Sequence, residues 1–204
     1  MKAPILWILS VQYFVVQIIV ANSWTTPFSV QNNPISDLGN TVCGEYSGRY
    51  VCSPMHDLMN ISFVVLGLTM IWGSLLFARQ YMKEPWVKFG LYLLALSGLG
   101  TILVGLYPEN TIASLHVIGA TLPFLLGNIA LIILGLKLDI PKALRVYTIA
   151  SGSLALFALA LFLSGSYLGL GHGGMERLVA YPQTIWMIVY GIYLSSIKWA
   201  PSTK

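Results

Sequence analysis

Residues 56–78 read HDLMNISFVVLGLTMIWGSLLFA, and this stretch decides what kind of protein the chain is. Its 23 residues hold one carboxylate, near the start, and no lysine or arginine. As an α-helix rising about 1.5 Å per residue it reaches about 34 Å, more than the roughly 30 Å of a bilayer's hydrocarbon core. A helix that is apolar around most of its circumference has no solvated face, so this one is predicted to cross a membrane.

Similar runs lie on both sides, at about 4–21, 86–107, 111–136, 146–168 and 175–197. Hydrophobic residues make up 56% of the 204 positions and charged residues only 9%, against about 25% charged in a soluble domain. The expectation is an all-α integral membrane protein, with six transmembrane helices in one bundle and a single polytopic domain over residues 1–204. The run at 4–21 follows a lone Lys2 and could serve as a signal peptide. However, Val20-Ala21-Asn22-Ser23 is a poor cleavage step, so the run is read as helix 1. Pro123 and Pro182 fall inside helices and mark kinks. The glycines Gly98, Gly100 and Gly105, and Gly165, Gly169, Gly171 and Gly173, are read as tight helix packing, because no βαβ context supports a dinucleotide loop.

The net charge of +4 invites a nucleic-acid reading, but the bases are scattered at helix ends and form no stripe. Positive-inside topology explains them better. With the N-terminus inside, the cytoplasmic side receives Lys2, Arg79, Lys83, Lys88, Lys137, Lys142, Arg145, Lys198 and Lys204, nine of the eleven bases. Only Arg49 and Arg177 face out. Both termini are then cytoplasmic, in a multi-pass protein of the cell membrane whose partner is the lipid bilayer. Trp24, Trp86 and Trp199 fit an aromatic belt.

This orientation gathers the chemistry-bearing residues on the outer side: Asp37, Glu45, Asp57, Glu109 and Glu176, and all three histidines. The long outer loop between helices 1 and 2 holds both cysteines, Cys43 and Cys52, in an oxidising location. A disulfide there would close a loop of about ten residues and stabilise it by roughly 2–3 kcal/mol. In SPMHDLMN (53–60), Ser53-Pro54 reads as a helix start, and His56 and Asn60 lie one turn apart on one face. Either the pair holds a ligand, or Asn60 orients the imidazole, or both are structural. Glu109 and Asn110 in YPEN (107–110) suit ligand binding or helix capping. His116 lies inside an apolar helix, where an ionisable side chain faces the bundle interior or a wet cavity. Glu176 and Arg177 read as an ion pair at the start of helix 6, with Arg177 reaching Asp37, Glu109, Asp57 or an anionic ligand. His172, in a glycine run, reads as a solvated loop residue.

NPISDLGNTVCG (33–44), VCSPMHDLMNISFVVLG (51–67), GLGTILVGLYPENT (98–111) with LHVIGA (115–120), and GGMERLVAYP (173–182) together resemble the membrane-protein family called domain of unknown function 998. The resemblance covers nearly the whole chain and implies its fold and the place of its site, including Ser36, Asp37, His56, Asn60, Pro108, Glu109, Asn110, His116, Glu176 and Arg177. It implies no reaction.

Three functions fit these residues. The first is an enzyme acting on a lipid or lipid-linked substrate. His56 and His116 would hold a metal such as zinc with a carboxylate from Glu109, Asp57 or Asp37; alternatively, one histidine would act as general base, with Ser36 or Ser53 as nucleophile. Arg177, Asn60, Asn110 and Glu176 would bind the substrate. The second is a non-catalytic membrane subunit or a lipid- or partner-binding protein. The third is electron transfer through a haem held between His56 and His116.

Overall fold

The structure, a computed structural model, describes residues 3–80 and 84–197. Lys2, Lys83, Lys198, Trp199 and Lys204 of the charge and belt arguments lie outside the described residues. In chain order the helices are α1 (Ala3–Leu9), α2 (Gln12–Asn22), α3 (His56–Ala78), α4 (Pro85–Leu106), α5 (Ala113–Thr121), α6 (Asn128–Lys137), α7 (Lys142–Leu163) and α8 (Gly171–Ser196). A π-helical turn, Leu122–Gly127, joins α5 to α6 as one rod of 25 residues. Between α2 and α3 come a 3-10 turn, Ser36–Gly39, and a hairpin of β1 (Gly44–Tyr46) and β2 (Arg49–Val51).

Among the described residues, five helical stretches are long and apolar enough to cross a membrane: α1–α2 together, α3, α4, α5–α6 together and α7. This is the pattern of a multi-pass membrane protein. Helix α8 is as long but more polar, and it turns Glu176, Arg177, Gln183 and Thr184 inward, all buried.

Several boundaries differ from the sequence reading. The run at 4–21 is two helices. At Ser10 the amide bonds three residues back to the Trp7 carbonyl, while the Ser10 hydroxyl meets that of Thr69 on α3 at 2.9 Å. The expected helix at 146–168 begins at Lys142, directly after Pro141, and ends at Leu163; proline is well tolerated at a helix start. Helix α3 starts at His56 without a side-chain cap. Ser53 instead donates to the Leu38 carbonyl at 2.7 Å, so it pins the lid and does not cap the helix. Pro123 lies within the π turn, where the backbone ladder shifts register around a residue with no N–H. Pro182 lies inside α8.

Helices α3 and α4 pack in backbone contact. A Cβ on Gly67 would lie 2.4 Å from the Gly98 carbonyl oxygen, so only glycine lets these backbones touch. Gly171, at positive φ, also lies against backbone, with a Cβ there 2.3 Å from the Gln31 carbonyl oxygen, but Gly165 and Gly169 do not follow this pattern. They sit at positive φ where the chain turns from α7 into α8. At the far end from the lid, Trp7, Phe77, Trp186 and Tyr190 interlock across α1, α3 and α8, and the Trp186 indole donates to Thr148 of α7 at 2.8 Å. This buried knot fixes one end of the bundle and leaves the other to the loop.

Candidate functional site

The loop from Ser23 to Met55 folds over one end of the bundle as a lid. Its hairpin turns at Ser47-Gly48, both at positive φ, the geometry a two-residue hairpin requires. The Cys43–Cys52 disulfide closes the strand ends, as expected.

The lid is held from three sides. From α8, Arg177 Nη1 donates to the carbonyls of Val30, Asn33 and Gly173 at 2.7–2.9 Å. From α3, Asn60 donates to the Gly39 carbonyl at 2.9 Å. From the 107–112 turn, Asn110 accepts from the Thr41 amide at 3.1 Å and donates to the Thr41 hydroxyl at 2.9 Å. The backbone carbonyl of Glu109 takes the Tyr46 hydroxyl at 2.8 Å.

At the centre of the lid sits Asp37, fully buried. Arg49 grips it through both Nε and Nη2, a bidentate pair, and Asn33 donates to it at 3.1 Å. Glu109, also buried, accepts from Asn40 at 3.1 Å and lies 3.9 Å from Arg49. Burial, with the Asp37 carboxylate adding to it, raises the Glu109 carboxyl to about 8. Glu109 therefore holds its proton more tightly than an ordinary glutamic acid, and Arg49 makes its two bonds to Asp37.

Several expected pairings are absent. Arg177 does not pair with Asp37, which is held by Arg49 instead. Glu176 and Arg177 form no ion pair with each other: adjacent helical residues point about 100° apart, so Glu176 faces Ile35 and Ser36 while Arg177 faces Val30 and Asn33. Asn60 does not orient His56, whose Nδ1 lies 2.9 Å from the Ser53 carbonyl and whose Nε2 lies 3.4 Å from Asp57. His172 is not a solvated loop residue. It opens α8 and stacks on Phe162 at 5.0 Å.

The lid and the bundle bring together one arrangement with chemical potential. The Ser36 hydroxyl is 3.0 Å from His116 Nε2 and 3.3 Å from Glu176 Oε1. His116 Nδ1 lies 2.9 Å from the Tyr107 carbonyl. A carbonyl can only accept, so Nδ1 carries the proton and the Nε2 lone pair faces the serine. Glu176 is fixed in turn, accepting from the Ile35 amide through Oε2.

This trio lines a cavity of about 340 Å³. Tyr46, Glu109 and His172 join it at the polar end, and Val117, Phe124, Leu125, Leu159, Phe162 and Leu163 form the apolar remainder. Val117 and Leu163 are themselves exposed, so the cavity opens at the side of the bundle. A smaller cavity of about 40 Å³ runs inward from Ser36 and Glu176 toward Gln183 and Thr184.

The residues do not fit the zinc or haem sites read from the sequence. His116 has both ring nitrogens engaged, by Ser36 and Tyr107, and it shares no partner with His56. Among the described residues, no three His, Cys, Asp or Glu side chains converge as metal ligands do. Sequence reasoning named Ser36, His116, Glu176, Asp37 and Glu109, but missed Arg49, Asn40, Asn33 and Tyr46 as their partners. Of these, Arg49 left a signal: the charge count groups it with Arg177 and the carboxylates, apart from the other bases.

A family model described as "Protein of unknown function (DUF998)" matches residues 8–193. No curated protein and no solved structure matches the chain.

Proposed function

The chain belongs to the DUF998 family, and from the geometry of its site we propose that it is a membrane-embedded enzyme that cleaves or transfers the acyl group of an ester-linked lipid, with Ser36 as nucleophile and His116 as general base. The observation that carries this is the 3.0 Å contact between the Ser36 hydroxyl and a His116 nitrogen whose lone pair is set by Tyr107, at the polar end of an apolar cavity. Nucleophile, base and a group orienting the base are the parts that activated-serine chemistry needs.

The hydroxyl has one proton and two acceptors, and the shorter contact is to His116. As Ser36 Oγ bonds to the ester carbonyl carbon, its proton passes to Nε2. The C–O bond to the leaving alcohol then breaks, and Nε2 returns the proton to that oxygen. Water attacks the acyl-serine by the same route, releasing the fatty acid and restoring both side chains. The acyl chain lies among Phe124, Leu159 and Phe162, and the headgroup faces Tyr46 and His172. Asp37, Asn60 and Asn110 hold the lid, and His56 anchors the start of α3.

The proposal includes the topology: six spans with α8 as the sixth, both termini cytoplasmic, and the lid on the outer face of the cell membrane. Ser166→Cys, in the turn before α8, should react with an impermeant maleimide on intact cells. Asp139→Cys, between α6 and α7, should react only after permeabilisation; the reverse pattern would overturn the orientation.

The enzymatic test is release of fatty acid from phospholipid and glycerolipid esters by protein in nanodiscs. Ser36→Ala should fall to background, and His116→Gln should lose about 10²–10⁴-fold, the usual contribution of a general base. Undiminished turnover by a folded Ser36→Ala variant would overturn the assignment. Lipid retained in the cavity with no turnover by any variant would favour a lipid-binding protein.

A further inference from the structure

The lid end contains a second cavity, about 260 Å³, that is separate from the Ser36–His116 pair. It lies between α2, the start of the lid and α8, and its lining includes Phe14, Gln17, Ile18, Phe28, Arg177 and Tyr181. Arg177 is only 7% exposed, and a guanidinium taken out of water is costly unless it is matched. Among the described residues no carboxylate comes within 4.0 Å of it. Its Nη1 meets three backbone carbonyls, which are dipoles and not counter-charges, and Phe28 lies across it at 5.6 Å. A guanidinium carries five N–H donors; Nη1 accounts for two, and the Tyr181 hydroxyl is a further side-chain partner of Arg177.

Gln17, which also lines this cavity, has an unsatisfied donor. Gln17 is 6% exposed; its Oε1 accepts the Tyr181 hydroxyl at 2.7 Å, while its buried Nε2 has no partner. A buried amide N–H left open beside a cation that has hydrogen-bond partners but no carboxylate within 4.0 Å favours an oxyanion. The remaining walls are apolar. Ile18 is 63% exposed, so the cavity opens along α2 toward the side of the bundle.

We propose that this cavity binds an anionic phospholipid. Arg177 and Gln17 Nε2 hold the phosphate oxygens, and one acyl chain lies along Phe14 and Ile18. The site is independent of the proposed catalysis, since neither Ser36 nor His116 lines it. Because Arg177 and the lid segment 30–33 are bonded to each other, the lipid sits directly behind the lid's attachment to α8.

The test is native mass spectrometry of delipidated full-length protein titrated with phosphatidylglycerol, phosphatidylcholine or inorganic phosphate. One phosphatidylglycerol should bind at least about tenfold more tightly than phosphatidylcholine, the size expected from one charge-assisted contact. Arg177→Ala also unties the lid, so the deciding variants are Gln17→Leu, which removes the open donor, and Ala21→Phe, which fills the groove. Each should weaken phosphatidylglycerol about tenfold, while Ser36→Ala binds it as the wild type does. Equal affinity for the two lipids, or unchanged binding by both variants, would overturn the proposal. Occupancy by inorganic phosphate alone as tight as that by phosphatidylglycerol would overturn it in favour of a soluble anion.

Discussion

Arg49→Gln removes the cation that holds the buried Asp37 carboxylate, and its effect can be worked from the geometry. The Asp37 side chain is fully buried and that of Arg49 is 21% exposed. Breaking a buried ion pair by deleting one partner costs about 3–5 kcal/mol, because the other charge is left uncompensated. Partial exposure of the guanidinium, and the bond from Asn33 that remains, place the cost near the lower end, about 3 kcal/mol. Glu109 offers no relief, being a second acid in the same pocket. At about 1.4 kcal/mol per factor of ten, the lid should open roughly 100-fold more often. Hydrogen exchange of peptides covering residues 33–52 should accelerate by that factor, with peptides from the α3–α4 contact unchanged. The double variant Asp37→Asn with Arg49→Gln removes the stranded charge and should recover to within about tenfold of wild type. Unaltered exchange in Arg49→Gln, or a double variant as fast as the single, would refute the ion pair as what holds the lid.

Glu109 makes the lid pH-dependent. Its folded-state pKa, about 8, stands above the ordinary 4.5, so its contribution is complete below pH 4.5 and is lost as pH rises through 8. Lid exchange, corrected for the intrinsic rate, should quicken across that window by at most about 1.4 kcal/mol per pH unit. Glu109→Gln, with no proton to lose, should flatten the profile; the same slope in both proteins would exclude Glu109 as its source. Gly67→Ala places a methyl against the Gly98 carbonyl and should cost about 1–3 kcal/mol by overpacking. It should appear as a lowered unfolding midpoint in detergent, and an unchanged midpoint would mean that α3 and α4 can part without cost.

Five of the six expected membrane helices were legible because a long apolar run has few alternatives, whereas α8 is more polar than the other five. The disulfide was legible because the only two cysteines share one loop. The break at Ser10 was not, and the hydroxyl that Ser10 meets there lies 59 positions away on α3. The hairpin was overlooked, although Gly48 stands midway between Cys43 and Cys52. The start of α8 was placed late because the glycines before Met175 read as loop, whereas Gly173 packs against the Asn33 backbone where a side chain would not fit. Within the site, residue types were visible but partners were not. Arg177 bonds backbone carbonyls, which carry no residue-specific signal. Asp37 takes Arg49, 12 residues on, because the hairpin folds that arginine back over it. Ser36 and His116, 80 positions apart, meet only once the lid closes.

The most direct measurement is covalent labelling of protein in nanodiscs with a fluorophosphonate, followed by peptide mass spectrometry. A serine activated by His116 should carry the adduct at Ser36, with labelling reduced at least about 100-fold in His116→Gln. Ser53, bonded to a backbone carbonyl, should remain unmodified. A probe that leaves Ser36 untouched, or labels it equally well without His116, would contradict the nucleophile–base pair on which the proposed function stands.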